Sequence, residues 1–193
     1  GDVNGDGFDD FAFSAPYSDG NTGNVFVVFG TADPVTTFDV SNLTNLSRGF
    51  TITAENSGSY TGFDVSGAGD VNGDGIADLI IGAPRDSEVG GAAYVVFGGS
   101  ALDGSDVDLS NIANGNGGFK VVGADVYDLA GAAVSAGDIN GDGFSDLLIG
   151  SRTDYGGIAV DVVFGVEGGL STVDLAEIAD GTGGFRIVNN YGA

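Results

Sequence analysis

One nine-residue string, Asp-x-Asn-Gly-Asp-Gly-x-x-Asp, occurs three times in this chain of 193 residues, starting at residues 2, 70 and 138 with a constant spacing of 68. An acidic loop that returns at a fixed period means a repeat architecture in which every repeat carries the same local device. The period divides the chain into repeats at 1–69, 70–137 and 138–193, the first without the strand expected before its loop and the last truncated.

Loop chemistry points to a cation. Oxygen-bearing side chains stand at positions 1, 3, 5 and 9: Asp2, Asn4, Asp6 and Asp10; Asp70, Asn72, Asp74 and Asp78; Asp138, Asn140, Asp142 and Asp146. Glycine at positions 4 and 6 permits positive φ, so the chain can curl until alternate side chains face one centre. The carbonyl of position 7, on Phe8, Ile76 or Phe144, can face it as well. Three carboxylates, an amide oxygen and a carbonyl are the hard, flexible donor set that Ca²⁺ prefers and that Mg²⁺ accepts less readily. Zn²⁺ is disfavoured, because the chain contains no His and no Cys. An EF-hand loop would need an acid at position 12, where this sequence has Phe13, Ile81 and Ile149; the ninth-position acid closes the loop instead. The expectation is three Ca²⁺ sites, one per repeat.

Asn-Gly and Asp-Gly also make tight hairpin turns, and the two readings are compatible. A turn alone, however, does not require four acids or amides at alternate positions. It would also leave three carboxylates crowded together without a basic neighbour, which costs energy unless a cation offsets it.

Composition narrows the setting. The formal net charge is −23, from 28 acids against only Arg48, Arg85, Lys120, Arg152 and Arg186. Such a surface repels nucleic acid and anionic membranes. No run reaches the ~18 apolar residues of a membrane-spanning helix, and no signal peptide is visible at Gly1. The chain reads as an excised piece whose targeting information lies elsewhere. Without cysteine there is no disulfide framework, which leaves a metal ion as the stapling device in a secreted setting.

The rest of each period reads as strands. After the second loop comes the apolar run Leu79–Ala83, stopped by Pro84, and Gly90-Gly91 then leads into Ala92–Gly98. Val107–Ile112 predicts a single helical turn capped by Asp108. Gly118–Val122 and Ala132–Gly137 follow, the latter delivering the chain to the third loop. The same order runs through Phe11–Pro16, Val25–Gly30, Asp39–Leu43, Gly49–Thr53 and Gly62–Gly69. It returns as Leu147–Gly150, Ala159–Gly165, Asp174–Ile178 and Gly184–Val188. Four short antiparallel strands per repeat without long helices define an all-β chain of β-propeller-type blades. About three blades fall short of the roughly four to eight that close a ring, so an incomplete propeller is expected, part of a longer protein or completed by other chains. Its open blade edges would invite strand pairing.

Phe29-Gly30, Phe97-Gly98 and Phe164-Gly165, with Gly82-Ala83-Pro84 just after an acidic loop, resemble the FG-GAP repeat family. The first repeat has Ser14-Ala15-Pro16 and the third Gly150-Ser151-Arg152 at the corresponding place. Such repeats build the β-propeller of integrin α subunits and of many large bacterial surface or secreted proteins. The resemblance implies that each acidic loop joins the first and second strands of a blade, with the cation sites together on one rim. Ligand recognition would then use the opposite loops, Tyr17–Asn24, Asp86–Gly90 and Asp154–Gly157. The Phe of each Phe-Gly pair ends an alternating apolar strand and is read as core packing.

These readings converge on an extracellular or cell-surface, calcium-binding, non-catalytic interaction or adhesion module. Its partner would be a protein or glycan ligand, neighbouring repeats or copies of itself, with no nucleic acid and no direct membrane insertion. Without His or Cys no Ser-His-Asp or Cys-His site can form within the chain, and without Trp there is no sialidase-type Asp box. Two alternatives stand beside it: the non-catalytic propeller part of a secreted hydrolase, since such blades accompany phospholipase D-like domains, and a structural repeat of a surface layer, matrix or filament.

Overall fold

A computed structural model describes residues 1–33, 37, 39–43, 47–86, 90–99, 102, 104–152 and 157–189. Among the described residues, thirteen strands form three sheets. The first sheet contains β1 (Phe11–Ala15), β2 (Asn24–Val28) and β3 (Gly49–Thr53), paired antiparallel in that order. The second runs β4 (Val65–Gly69), β5 (Asp78–Ala83), β6 (Ala92–Val96) and β8 (Gly118–Val122), which follows the short β7 (Val107–Asp108) in the chain. The third runs β9 (Ala133–Gly137), β10 (Asp146–Arg152), β11 (Ile158–Val163) and β13 (Gly184–Asn189), which follows the short β12 (Val173–Asp174) in the chain. These are propeller blades. The middle blade draws its inner strand, β4, from the residues just before its acidic loop, as the third draws β9.

Strand ends follow local chemistry. Pro16 and Pro84 lie just beyond the ends of β1 and β5, whereas the third repeat lacks that proline and β10 continues to Arg152. The expected helical turn spans Leu109–Ala113, where the Asp108 carboxylate accepts the Ser110 N–H at 2.8 Å. Asp174 caps Leu175–Ala179 in the same way, and Asp39 caps the 3₁₀ turn Val40–Asn42.

The sequence reading did not foresee how the blades are stitched together. The residues before two of these turns form two-residue strands, β7 (Val107–Asp108) and β12 (Val173–Asp174), that pair parallel with the outer strand of the preceding blade, β3 and β8 respectively. Each blade thereby closes the outer edge of the one before it.

Both faces of a blade are apolar. One core cluster places Val25, Val27, Phe50 and Ile52 of the first blade on Leu79, Ile81, Tyr94 and Val96 of the second. The other places Ile80, Val95, Phe119 and Val121 of the second on Val134, Leu147, Ile149 and Val163 of the third. Near-continuous burial in β5 and β6, in place of polar/apolar alternation, follows from a sheet covered on both sides.

The first of these interfaces encloses a polar network. Lys120 Nζ donates to Glu55 at 2.6 Å and Asp86 at 3.0 Å, and the Tyr94 hydroxyl donates to the same two carboxylates at 2.6 and 2.7 Å. Asn56 adds a donor to Asp86 at 3.2 Å. Burial opposes ionisation of Asp86, but the Tyr94 and Lys120 hydrogen bonds and the lysine charge outweigh it and hold the carboxyl below its usual range. Burial and the neighbouring carboxylates push the Tyr94 phenol upward, so it remains a donor. At the equivalent station the third blade pairs Arg186 with Asp161 at 2.6 and 3.0 Å, while the first blade has Phe26 opposite Thr51.

Lys120→Met strands Glu55 and the fully buried Asp86 without their cation, and should cost about 3–5 kcal/mol in urea unfolding. In the unmodified protein the folded Asp86 pKa lies below the unfolded value. Its contribution is therefore complete above about pH 4 and fades as pH falls through the folded pKa. The Lys120→Met chain should lose that part of its acid dependence.

Candidate functional site

The three acidic loops lie at the same end of their blades. The second and third connect β4 to β5 and β9 to β10, the first two strands of a blade; the first loop leads into β1. All six glycines at positions 4 and 6 have positive φ, from +77° at Gly5 to +96° at Gly143.

Every loop folds around its first aspartate. Asp2 accepts N–H bonds from Gly5 (2.7 Å), Asp6 (3.1 Å) and Gly7 (2.8 Å). Asp70 does the same with Gly73, Asp74 and Gly75, and Asp138 with Gly141, Asp142 and Gly143. The Gly7 N–H, helped by those of Gly5 and Asp6, holds the Asp2 carboxyl below its ordinary range. At position 3, Asn4, Asn72 and Asn140 accept the N–H of position 5 and donate to its carboxylate. At position 5, Asp6, Asp74 and Asp142 each accept the N–H of position 7, on Phe8, Ile76 and Phe144, at 2.9 Å.

The ninth acid has a role that the sequence reading did not assign. Asp10, Asp78 and Asp146 are 8%, 0% and 0% exposed. One oxygen of each accepts the N–H of position 2, on Val3, Val71 or Ile139, at 2.8 Å. The other accepts the N–H of the Gly in the Phe-Gly pair: Gly30 (2.9 Å), Gly98 (2.8 Å) or Gly165 (3.0 Å). The glycine is required by space, since a Cβ on Gly98 would stand 2.2 Å from the Ala77 carbonyl oxygen and one on Gly165 2.4 Å from that of Ser145. The Phe beside it packs half-buried on the outer strand: Phe29 on Phe50, Phe97 on Phe119 and Phe164 on Phe185, with ring centroids 5.8 to 6.0 Å apart. A constant separation of 19 or 20 residues between that aspartate and that glycine was the available sequence signal.

Neighbouring loops are also joined. Carbonyls of Asp70, Val71 and Asn72 accept N–H bonds from Ser145, Val166 and Gly168 of the next blade. Asp2 and Val3 receive Ala77 and Gly99 in the same manner.

As a cation site the loops fit in chemistry but not in convergence. All their side-chain donors are hard oxygens, yet the carboxylates are turned onto loop amides. Among the described residues no three acidic side chains meet around a point that could hold a metal ion. Burial, followed by the charges of Asp74 and Asp70, pushes the Asp78 carboxyl up to about 6 against the hydrogen bonds from Gly98 and Val71.

At the opposite end of the strands, Tyr17, Tyr60, Phe63, Pro84, Arg85, Leu129 and Ala132 line a cavity of about 250 Å³. Tyr17 is 66% exposed and meets Tyr60 edge-on at 5.6 Å, and the Arg85 guanidinium lies 5.5 Å from the Tyr60 ring centre. Residues 87–89 and 154–156 of the expected recognition loops lie outside the described residues.

Blades of antiparallel strands, four in the second and third and three in the first among the described residues, each tied at one rim by an acidic loop to a Phe-Gly corner, define a propeller-repeat protein. The FG-GAP repeat profile matches residues 1–28, 61–96 and 130–162, just over half of the chain, and the chain belongs to that family. It is similar to chicken integrin alpha-V (29% identical over 81% of this chain and 13% of that protein) and to Xenopus laevis integrin alpha-5 (31%, 82% and 13%). It is also similar to a phosphatidylinositol-glycan-specific phospholipase D of Dictyostelium discoideum (30%, 81% and 17%). The chain thus spans less than a fifth of each of these relatives.

Asp146→Ala leaves the N–H groups of Ile139, Asn140 and Gly165 without their acceptor, and the buried Gly165 N–H alone should cost about 1–3 kcal/mol. Asp142→Ala, at an exposed position, should cost much less. Denaturant unfolding in chelator, where no metal contributes, is the measurement.

Proposed function

We propose that this chain is a calcium-binding, non-catalytic interaction module of an extracellular or cell-surface protein, built from integrin-α-like propeller repeats. The observation that carries this reading is the thrice-repeated loop of three carboxylates and one amide, with no basic side chain among its hydrogen-bond partners in the described residues. Two of the five basic residues, Lys120 and Arg186, are committed elsewhere in ion pairs. Protein recognition would fall to the opposite end, where Tyr17, Tyr60 and Arg85 offer the residue types that anchor protein interfaces. No helix among the described residues is long and apolar enough to cross a membrane. The similarity to a phospholipase D favours a second reading, in which the chain is the non-catalytic propeller part of a secreted hydrolase.

Calcium is expected to act on stability. With an extracellular-type affinity of about 10⁻⁴ M, about 10 mM Ca²⁺ adds on the order of 2.7 kcal/mol per site. Calorimetric titration of chelated protein should find three sites, and thermal unfolding should shift upward with Ca²⁺ but not with equal ionic strength of Na⁺. An absence of heat together with identical melting in chelator and calcium would overturn the calcium reading.

A further inference from the structure

Two residues at the end opposite the acidic loops hold a backbone conformation that their side chains resist. Tyr60 and Leu129 have φ of +58° and +50° and occupy the same station of successive connections, two residues before Gly62 and Gly131. Each closes the same turn: the Tyr60 carbonyl accepts the Phe63 N–H at 3.0 Å, and the Leu129 carbonyl accepts the Ala132 N–H at 3.1 Å. A bulky side chain at positive φ is an outlier that glycine would avoid. Both side chains line one cavity of about 250 Å³. An outlier repeated around a cavity points to a task for the side chains it places there.

The cavity lies where the second and third blades meet the connections that lead into them. Tyr60 and Phe63 enter it from the first of these connections, Leu129 and Ala132 from the second, and Pro84 and Arg85 from just beyond β5. These segments are fixed by contacts internal to the chain: the Tyr60 N–H donates to Asn21 at 2.9 Å, that of Arg85 to Ser59 at 3.1 Å, and that of Gly131 to Gly150 at 3.1 Å. The Arg85 guanidinium lies 5.5 Å from the Tyr60 ring centre, and among the described residues it forms no ion pair. Its chain neighbour Asp86 is committed to Lys120 and Tyr94. Stacking on an aromatic face orients a guanidinium while its edge N–H groups remain able to fork onto a carboxylate.

We propose that this cavity takes one acidic side chain of a protein partner, flanked by apolar residues, with the carboxylate on Arg85 and the flanking carbon against Tyr60, Phe63 and Leu129. The lining sets one cation among carbon-rich side chains. A sugar would leave most of its hydroxyls unpaired there, a cost that an apolar peptide segment avoids. The net charge of −23 repels a strongly acidic partner at long range, which favours a single carboxylate in an otherwise uncharged segment. The inference rests on reading this end as the recognition end and does not require calcium in the loops.

Titration of acetyl-Leu-Glu-Leu-amide and acetyl-Leu-Gln-Leu-amide into the isotope-labelled intact chain, followed by NMR in both calcium and chelator, tests it. The Glu peptide should bind about tenfold or more tighter than the Gln peptide, as expected for a hydrogen bond to a charged group. Its binding should move the resonances of Tyr60, Arg85 and Leu129. Arg85→Gln, shown to be folded by circular dichroism, should bind the two peptides alike. Equal binding of the two peptides to the unmodified chain, binding of neither, a Glu preference that survives Arg85→Gln, or tighter binding of glucuronate than of the Glu peptide would overturn the proposal. Shifts gathered at another part of the chain would overturn the assignment of recognition to this end as well. Calcium heats decide the loop reading separately, whichever peptide binds.

Discussion

A blade in this protein cannot bury its own side chains. Its strands lack a polar face, and the apolar residues on both sides must be covered by something else. That constraint makes the blade–blade interface the unit of stability. The same positions are used twice, with Phe50 and Ile52 on the second blade and Phe119 and Val121 on the third. Stability in such an array grows from neighbour contacts, as in other repeat proteins. The parallel strand that each following blade adds to the outer edge tightens the same contact.

Within that frame the ninth aspartate of each acidic loop is the local pin. It sits in the interior of the rim and joins the loop's second residue to the Phe-Gly corner some twenty residues away. Acid, glycine and phenylalanine are thereby one mechanical device. The acid supplies the acceptor, the glycine supplies the space for its N–H to arrive, and the phenylalanine packs the corner onto the outer strand. The remaining acids of the loop lie nearer solvent on the loop's own amides. In this arrangement the rim keeps its shape through hydrogen bonds while concentrating negative charge that, among the described residues, no basic side chain meets in an ion pair.

The blades are not interchangeable. At one shared station the second blade holds Tyr94 and Lys120 with two carboxylates, the third holds Asp161 with Arg186, and the first holds Phe26 with Thr51. Buried ion pairs of this kind add little stability over an apolar pair, but they penalise a neighbour that brings no partner charge. Each of the two described junctions thereby buries a charged group of its own.

The sequence alone determined the repeat, its period, the strands and the cap at Asp108, because these depend on local patterns: spaced glycines, apolar runs stopped by proline, and an aspartate before a helical turn. The FG-GAP resemblance agrees with the family match, whose spans take in the three acidic loops and Gly82-Ala83-Pro84 but stop just short of each Phe-Gly pair. Position-by-position alternation could not tell that both faces of β5 and β6 would be covered, or that Val107–Asp108 and Val173–Asp174 would pair with the preceding blade, since those partners are distant in the chain. The acidic loops were legible as oxygen-rich cradles, but the direction in which each carboxylate turns was not. Tertiary structure decided that the ninth acid faces Gly30, Gly98 or Gly165, because only packing of the blade brings that N–H into the rim. The Lys120 network became visible for the same reason: pairing of β6 with β8 sets Tyr94 opposite Lys120, and Asp86 and Glu55 reach them from separate segments of the chain.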